Sequence, residues 1–455
     1  FILRPLAFSL LLVPVVAVCL FAQGVQPYPA AITNRDFYPK TPMTPPAANT
    51  VFQDPDLGGT MVRITDENTN VKLFNDFFFN PDSDVNEWAM DDSKFYVVAG
   101  GDSLNLAFAF DPDTMTVSPL PGASSSGALA VPLREGPTFS FVDPDLMYGT
   151  SLKEPLTITT YRFSTGKTTP LYDTTNCATE PPLVAGPTQS SSDSTVSNND
   201  GRVVISAGGN SAGHRPFVIV YDQQLGCRWY NTQTGQIGGA WGLVGQVSTP
   251  DRYNVNHVKI SGNGQYVRIG VARFGFYVWD VTTLNVAPCD FEKPGPDCSG
   301  YGAVGNSSYI NAPDILDELN AFSRPLGDLT NFIPLISPFP QPYYKGMEKA
   351  WAWSNGALSG NVPVCGSTYS PHGDEEVKQP FDGEVFCMET DGLAPTIWRF
   401  AHNRAVWNPK FYWSQPYGSI SIDGRFFSFS SSWDLQLGTF WDGDPRSDVW
   451  IVRLQ

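Results

Sequence analysis

FAFDPDTMTVSPL (108–120), YRFSTGKTTPLYD (161–173), VIVYDQQLGCRWY (218–230) and YVWDVTTLNVAPC (277–289) share one plan. An apolar strand ends in an aromatic, an Asp or Ser turn follows, and a Thr- or aromatic-rich strand leaves it. VFCMETDGLAPTIWRF (385–400) is a looser copy. The residues before the turns are Phe110, Phe163, Tyr221, Trp279 and Met388, spaced by 53, 58, 58 and 109, the last close to two periods. A period of this size carrying strand–turn–strand units marks a repeat architecture, and the unit reads as part of a β-propeller blade.

A second phrase lies upstream of the first: MDDSKFYVVAGG (90–101), NNDGRVVISAGG (198–209), SGNGQYVRIGVA (261–272) and SIDGRFFSFSSS (421–432). Asp-Gly and Asn-Gly pairs promote tight hairpins because Gly accepts positive φ. The strand before each such turn is expected to line the central channel. Blades read at about 84–120, 137–173, 198–232, 255–287 and 349–400. GGTMVRITDE (58–67) is a strand with no partner before it, and SDVWIVRLQ (447–455) is one with no successor. Each is half a hairpin, so the N-terminal strand should complete the last sheet and remove two exposed edges.

Between Cys298 and Lys349 one period is unaccounted for. PDILDELNAFSRPL (313–326) is the best helix candidate there, with Ile315, Leu316, Leu319 and Phe322 spaced for one face. NFIPLISPFP (331–340) could supply an outer strand. Either a degenerate helical blade or an insertion therefore occupies residues around 290–348. The spacing favours seven blades over six.

The N-terminus, FILRPLAFSLLLVPVVAVCLFAQ, reads as a signal peptide over 1–22. Its apolar run is short for a membrane span and is broken by Pro14. A Pro-rich extended leader is expected over 23–50, and one propeller domain over 51–455. The six cysteines after the signal point to disulfides in an exported, secreted or periplasmic protein. Nearest-neighbour pairing gives Cys177–Cys227, Cys289–Cys298 and Cys365–Cys387. A net charge of −17 argues against nucleic acid as a partner. The expected state is a monomer with no membrane span once the signal is removed.

Serine-hydrolase chemistry has no GxSxG elbow to rest on. The histidines are His214, His257, His372 and His402. His257 (NVNHVKISGNG) and Gln415 (YWSQPYGSISIDG) hold equivalent places near the channel mouth, where each either contacts a ligand or satisfies backbone groups. NPDSDVNEW (80–88) places Asn80, Asp82, Asp84 and Asn86 at alternate positions, a weak calcium-loop pattern with Val85 where Gly is required. SPHGDEEVKQPFDGE (370–384) gathers His372, Asp374, Glu375 and Glu376, and WDGDPRSD holds Asp442, Asp444 and Asp448; solvated loops explain both as well as a cation does. WRFAHNRAVWNPKFYWSQP (398–416) joins two blades and carries Arg399, His402, Arg404, Trp407, Tyr412 and Trp413. Aromatic faces beside Arg suit a sugar or an acidic ligand.

The two recurring phrases resemble the TolB-type propeller repeat, and the whole layout resembles the oligogalacturonate lyase propellers. That resemblance implies a seven-bladed secreted or periplasmic fold around a divalent cation. Its ligands would be a His from a middle blade, then a Gln followed by two His before a Ser-x-Asp-Gly turn. His257 and Gln415 match that pattern, while Gly418 and Ile420 stand where the later histidines would fall. The expected function is therefore binding of a carbohydrate or protein ligand at the channel mouth. The competing expectations are a metal-assisted polysaccharide lyase and a structural envelope scaffold.

Overall fold

The computed structural model describes residues 27–455 apart from 70–77, 82–84, 100–103, 122–128, 135, 178–193, 209–214, 248–252, 272–274, 290–301, 312–321, 336–362, 369–379, 391–394, 407–413, 440–442 and 444. These residues form a seven-bladed β-propeller. The first blade contains Phe78–Phe79, Lys94–Ala99, Leu104–Asp111 and Thr116–Pro119, with Leu129–Val131 added beside the third of these. The second is Thr138–Phe139, Leu146–Thr150, Thr157–Arg162 and Lys167–Asp173. The third runs from Thr195–Val196 through Arg202–Ala207, Phe217–Asp222 and Gly226–Asn231 to two short outer strands. The fourth is Val255–Ile260, Tyr266–Val271, Phe276–Asp280 and Val286–Cys289.

The missing period is a true fifth blade: Gly302–Val304, Ser308–Asn311, Phe322–Pro325 and Ile333–Pro334. This corrects the helix expected over 313–326, since its end, Phe322–Pro325, pairs with Ser308–Asn311. The remainder, through residue 321, lies outside the described residues. An apolar spacing that suits a helix face also occurs by chance in a blade with short strands. The outer strand expected within 331–340 is Ile333–Pro334. The sixth blade is Val364–Ser367, Glu384–Met388 and Ile397–His402.

In the seventh blade Gly418–Ile420, Phe426–Ser431 and Asp448–Arg453 are followed by Thr60–Arg63 and Val51–Gln53. Met61, Val62 and Arg63 pair with Val452, Ile451 and Trp450, so the N-terminal strand closes the ring as expected.

The core explains the blade sequences. Buried side chains fall into seven clusters, each between consecutive blades, including one that joins the seventh to the first. Every sheet is thus covered on both faces, and its strands read as nearly continuous apolar runs. In RVVISA (202–207), Val203, Ile205 and Ala207 face the second blade while Val204 faces the fourth, as period-two alternation requires.

The recurring polar turns form a second network. Asp91, Asn199, Asn263 and Asp423 each accept the backbone N–H two residues on. The next residue is left-handed in all four turns: Asp92 (φ 58°), Asp200 (57°), Gly264 (74°) and Gly424 (79°). Where Asp replaces Gly, its carboxylate ties the turn to the preceding blade. Asp200 accepts from Phe141 N at 2.9 Å, and Asp92 pairs with Arg425 at 3.0 Å.

Cys177–Cys227 links the second and third blades, and Cys365–Cys387 bridges directly opposed residues of the sixth. Cys289 is also disulfide-bonded, and Cys298, its expected partner, lies outside the described residues. No helix among the described residues is long and apolar enough to cross a membrane.

Residues 27–50 dock across the sixth and seventh blades. Tyr28 is buried edge-on against Trp398 and Phe400, with ring centroids 5.3 Å apart in both pairs. Ile32 bridges Arg399 where the three-stranded sixth blade would otherwise have a free edge. The turn at 54–59 lies against the same strand, with Gly59 N donating to Phe400 O at 2.9 Å. A Cβ on Gly59 would sit 2.2 Å from that oxygen. Gly59→Ala is therefore expected to cost about 1–3 kcal/mol through forced displacement of backbone. A lowered thermal midpoint in the variant checks this.

Candidate functional site

A polar cleft of about 670 Å³ opens where the turns of the second, third and fourth blades meet. Its walls include Asp143, Tyr148, Asp200, Arg202, Asp222 and Gln224. Asp200 is the inner anchor. Its Oδ2 accepts from the Tyr148 hydroxyl at 3.2 Å and from the Ser140 hydroxyl. Burial pushes the Asp200 carboxyl above its ordinary range, and burial followed by the nearby Asp200 charge pushes the Tyr148 phenol up as well.

Arg202 donates from Nε to Asp222 at 2.8 Å and from Nη1 to Gly264 O at 2.6 Å, with its guanidinium 4.7 Å from the Trp241 ring centroid. That geometry fixes a guanidinium–carboxylate pair at the cleft wall. Asn199, Gln223 and Gln224 are exposed there. The cleft therefore combines amide, carboxyl and guanidinium groups with one tyrosine, which suits a ligand rich in hydroxyls. The sequence reading missed these residues. The signal was NND at 198–200, where Asp occupies a position that glycine fills in the turns at 264 and 424.

His257 stands on the first strand of the fourth blade and is buried. Its Nε2 is 2.8 Å from Arg268 Nη1, and Arg268 in turn lies over the Phe276 and Tyr309 rings. A permanently charged guanidinium against Nε2 competes with a cation for that nitrogen. Gln415 is buried ahead of the first strand of the seventh blade, with its backbone oxygen accepting from Tyr417 N at 2.8 Å. The two positions after it do not suit added imidazoles. A Cβ at Gly418 would meet the Phe427 ring at 2.5 Å, and Ile420 is part of the core between the sixth and seventh blades. The divalent centre implied by the lyase resemblance is thus a poor fit to this chain.

The described residues of the 398–416 segment are largely interior. Arg399 is fully buried, forming a two-pronged pair with Glu384 at 2.6 and 2.7 Å. Arg404 is buried over Trp433, pairs with Asp434 at 3.2 Å and donates to Thr41 O at 2.8 Å. Trp407, Tyr412 and Trp413 lie outside the described residues, as do Asp82 and Asp84 of the calcium-like loop and His372, Asp374, Glu375 and Glu376.

His402 ends the last strand of the sixth blade, fully buried beside the 54–59 turn. Its Nδ1 is 3.3 Å from Asp56 Oδ2 and 3.9 Å from Asp54 Oδ1. Burial, the largest influence, holds the imidazole below its ordinary pKa against the pull of the two carboxylates. The sequence reading included His402 and missed Asp54 and Asp56.

No protein-family model matches the chain, and no curated protein matches it. Its fold is similar to that of an oligogalacturonate lyase from Vibrio parahaemolyticus, with a TM-score of 0.54 and 11% identity, covering 89% of this chain and 96% of that one. It is likewise similar to an oligogalacturonate lyase in complex with manganese, with a TM-score of 0.52 and 12% identity, covering 91% and 98%. TolB from Acinetobacter baumannii is a further structural neighbour, with a TM-score of 0.34 and 13% identity, covering 64% and 63%. At these identities the likeness to the two lyases is one of fold: the chain is built as a β-propeller.

Proposed function

We propose that the protein is a β-propeller binding protein of an oxidising, extracytoplasmic compartment, and that its ligand is a carbohydrate held in the cleft where the turns of the second, third and fourth blades meet. The cleft carries this reading. Its volume of about 670 Å³ suits a small ligand, and its walls present hydrogen-bonding groups on rigid inter-blade turns. The disulfides between Cys177 and Cys227 and between Cys365 and Cys387 support the compartment. The Phe427 ring packed against Gly418 and the core role of Ile420 weigh against a lyase centre of the family type.

Calorimetric titration with neutral and uronate oligosaccharides tests the reading. Tyr148→Phe and Gln224→Ala are expected to weaken binding by about 1–2 kcal/mol each, the typical cost of an unmade hydrogen bond. Loss in Trp413→Ala alone would move the ligand to the 398–416 loop. No binding of any oligosaccharide would overturn the carbohydrate assignment.

A further inference from the structure

His402 is an anomaly on energetic grounds. Neither ring nitrogen has a hydrogen-bond partner, although the side chain is fully buried. Orphaned polar atoms at such a depth are costly, and native structures rarely leave them. The imidazole nevertheless faces two carboxylates. One ligand atom from each of Asp54, Asp56 and His402 lies within 4.8 Å of the other two. Bonds of about 2.0–2.2 Å at tetrahedral angles place ligand atoms roughly 3.3–3.6 Å apart. The observed separations from Nδ1, 3.3 and 3.9 Å, bracket that range.

We propose that Asp54, Asp56 and His402 bind a divalent ion of the zinc class, which fastens the N-terminal hairpin to the sixth blade. One nitrogen and two oxygens favour a borderline cation over calcium or magnesium, which prefer all-oxygen shells of higher coordination number. The supporting contacts are already in place. Asp54 accepts from Asp56 N at 3.0 Å, Leu57 N at 2.8 Å and His402 N at 3.1 Å, which orients its carboxylate. Asp56 accepts from Thr41 N at 2.8 Å, so the leader is held by the same residue. A bound ion would join three parts of the chain: the leader at Thr41, the turn between the first two strands, and the end of the sixth blade. This location differs from the His257 and Gln415 positions considered for a channel ion, and the inference stands independently of the carbohydrate reading.

The test uses tag-free protein, stripped with chelator and titrated with Zn²⁺, with Ca²⁺ as a control. The expected result is one Zn²⁺ per chain by mass spectrometry and a raised thermal midpoint that chelator reverses. His402→Gln and Asp56→Asn should each weaken Zn²⁺ binding by more than about tenfold, since even loss of an outer-shell partner costs that much. Asp56→Asn is nearly isosteric at a partly accessible position, so circular dichroism should show it folded. His257→Ala and His372→Ala should bind as the parent does. No Zn²⁺ binding, or loss in His257→Ala or His372→Ala with His402→Gln unaffected, would overturn the assignment and leave the trio as an Asp–His contact.

Discussion

Arg399→Ala is expected to destabilise the protein by about 3–5 kcal/mol, the usual cost of removing one partner from a buried ion pair. The guanidinium is held on every side. Nε and Nη2 donate to the two Glu384 oxygens, and Nη1 donates to Asn34 O at 3.1 Å and Asp36 O at 2.7 Å. The guanidinium carbon lies 5.0 Å from the Tyr38 ring centroid and 5.1 Å from that of Phe381. Deleting it leaves Glu384 in the core without its countercharge. Burial already pushes that carboxyl up, and Arg399 is the largest influence pulling it back. The same substitution removes two hydrogen bonds that hold the leader.

The companion variants separate these effects. Arg399→Met with Glu384→Gln removes both charges and fills most of the volume, so it should recover much of the loss. Limited proteolysis should still show the leader released in the double variant, because the bonds to Asn34 and Asp36 are gone. Denaturant unfolding of the parent, Arg399→Met, Glu384→Gln and the double variant measures the coupling between the two residues. A single Arg399→Ala change within about 0.5 kcal/mol of the parent would rule out this account of the contact.

The contrast between what could and could not be read from the sequence has a physical cause. The Asp-Gly and Asn-Gly turns are local signals, because a hairpin needs only its own residues to form. Together with the aromatic-to-turn phrase they located most of the blades and, with two unpaired terminal strands, the closure. The fifth blade was obscured because its strands, such as Gly302–Val304, are too short to show alternation. Arg399, His402 and Arg404 were read as facing a ligand because charged residues beside aromatics usually lie at a surface. Here the leader covers that strand, and no local pattern announces a cover. The Asp54–His402 contact spans 348 positions. Asp54-Pro55-Asp56 alone looks like an ordinary polar turn, and only the closure of the ring brings it to an imidazole. The cleft at Asp200 is similar: the turn was legible, whereas its opening between blades depends on how they pack.

A strong pH effect should come from Glu87, at the interface of the first and seventh blades. It is fully buried and its pKa is pushed from 4.5 to about 8 by loss of water, with only the Ser428 hydroxyl and Trp88 opposing. The folded protein therefore keeps a proton on Glu87 that the unfolded chain gives up near pH 4.5. Between those values the native state binds more protons, so stability falls as pH rises, at about 1.4 kcal/mol per unit. From pH 5 to pH 8 the loss from this one group is on the order of 3 kcal/mol.

Asp92 acts in the same sense, since burial and then Asp423 push it up to about 8. His402 has the opposite tendency, because a buried neutral imidazole favours higher pH. The difference between parent and Glu87→Gln isolates Glu87 from both. Gln keeps an acceptor for Ser428 and carries no charge to desolvate. The variant should match the parent to within about 1 kcal/mol at pH 5 and exceed it by roughly 3 kcal/mol at pH 8. Thermal and denaturant midpoints at both pH values check the sign. Parallel pH profiles for the two proteins would mean that Glu87 is ionised in the fold, with a countercharge or solvent reaching the Oε2 that has no hydrogen-bond partner here.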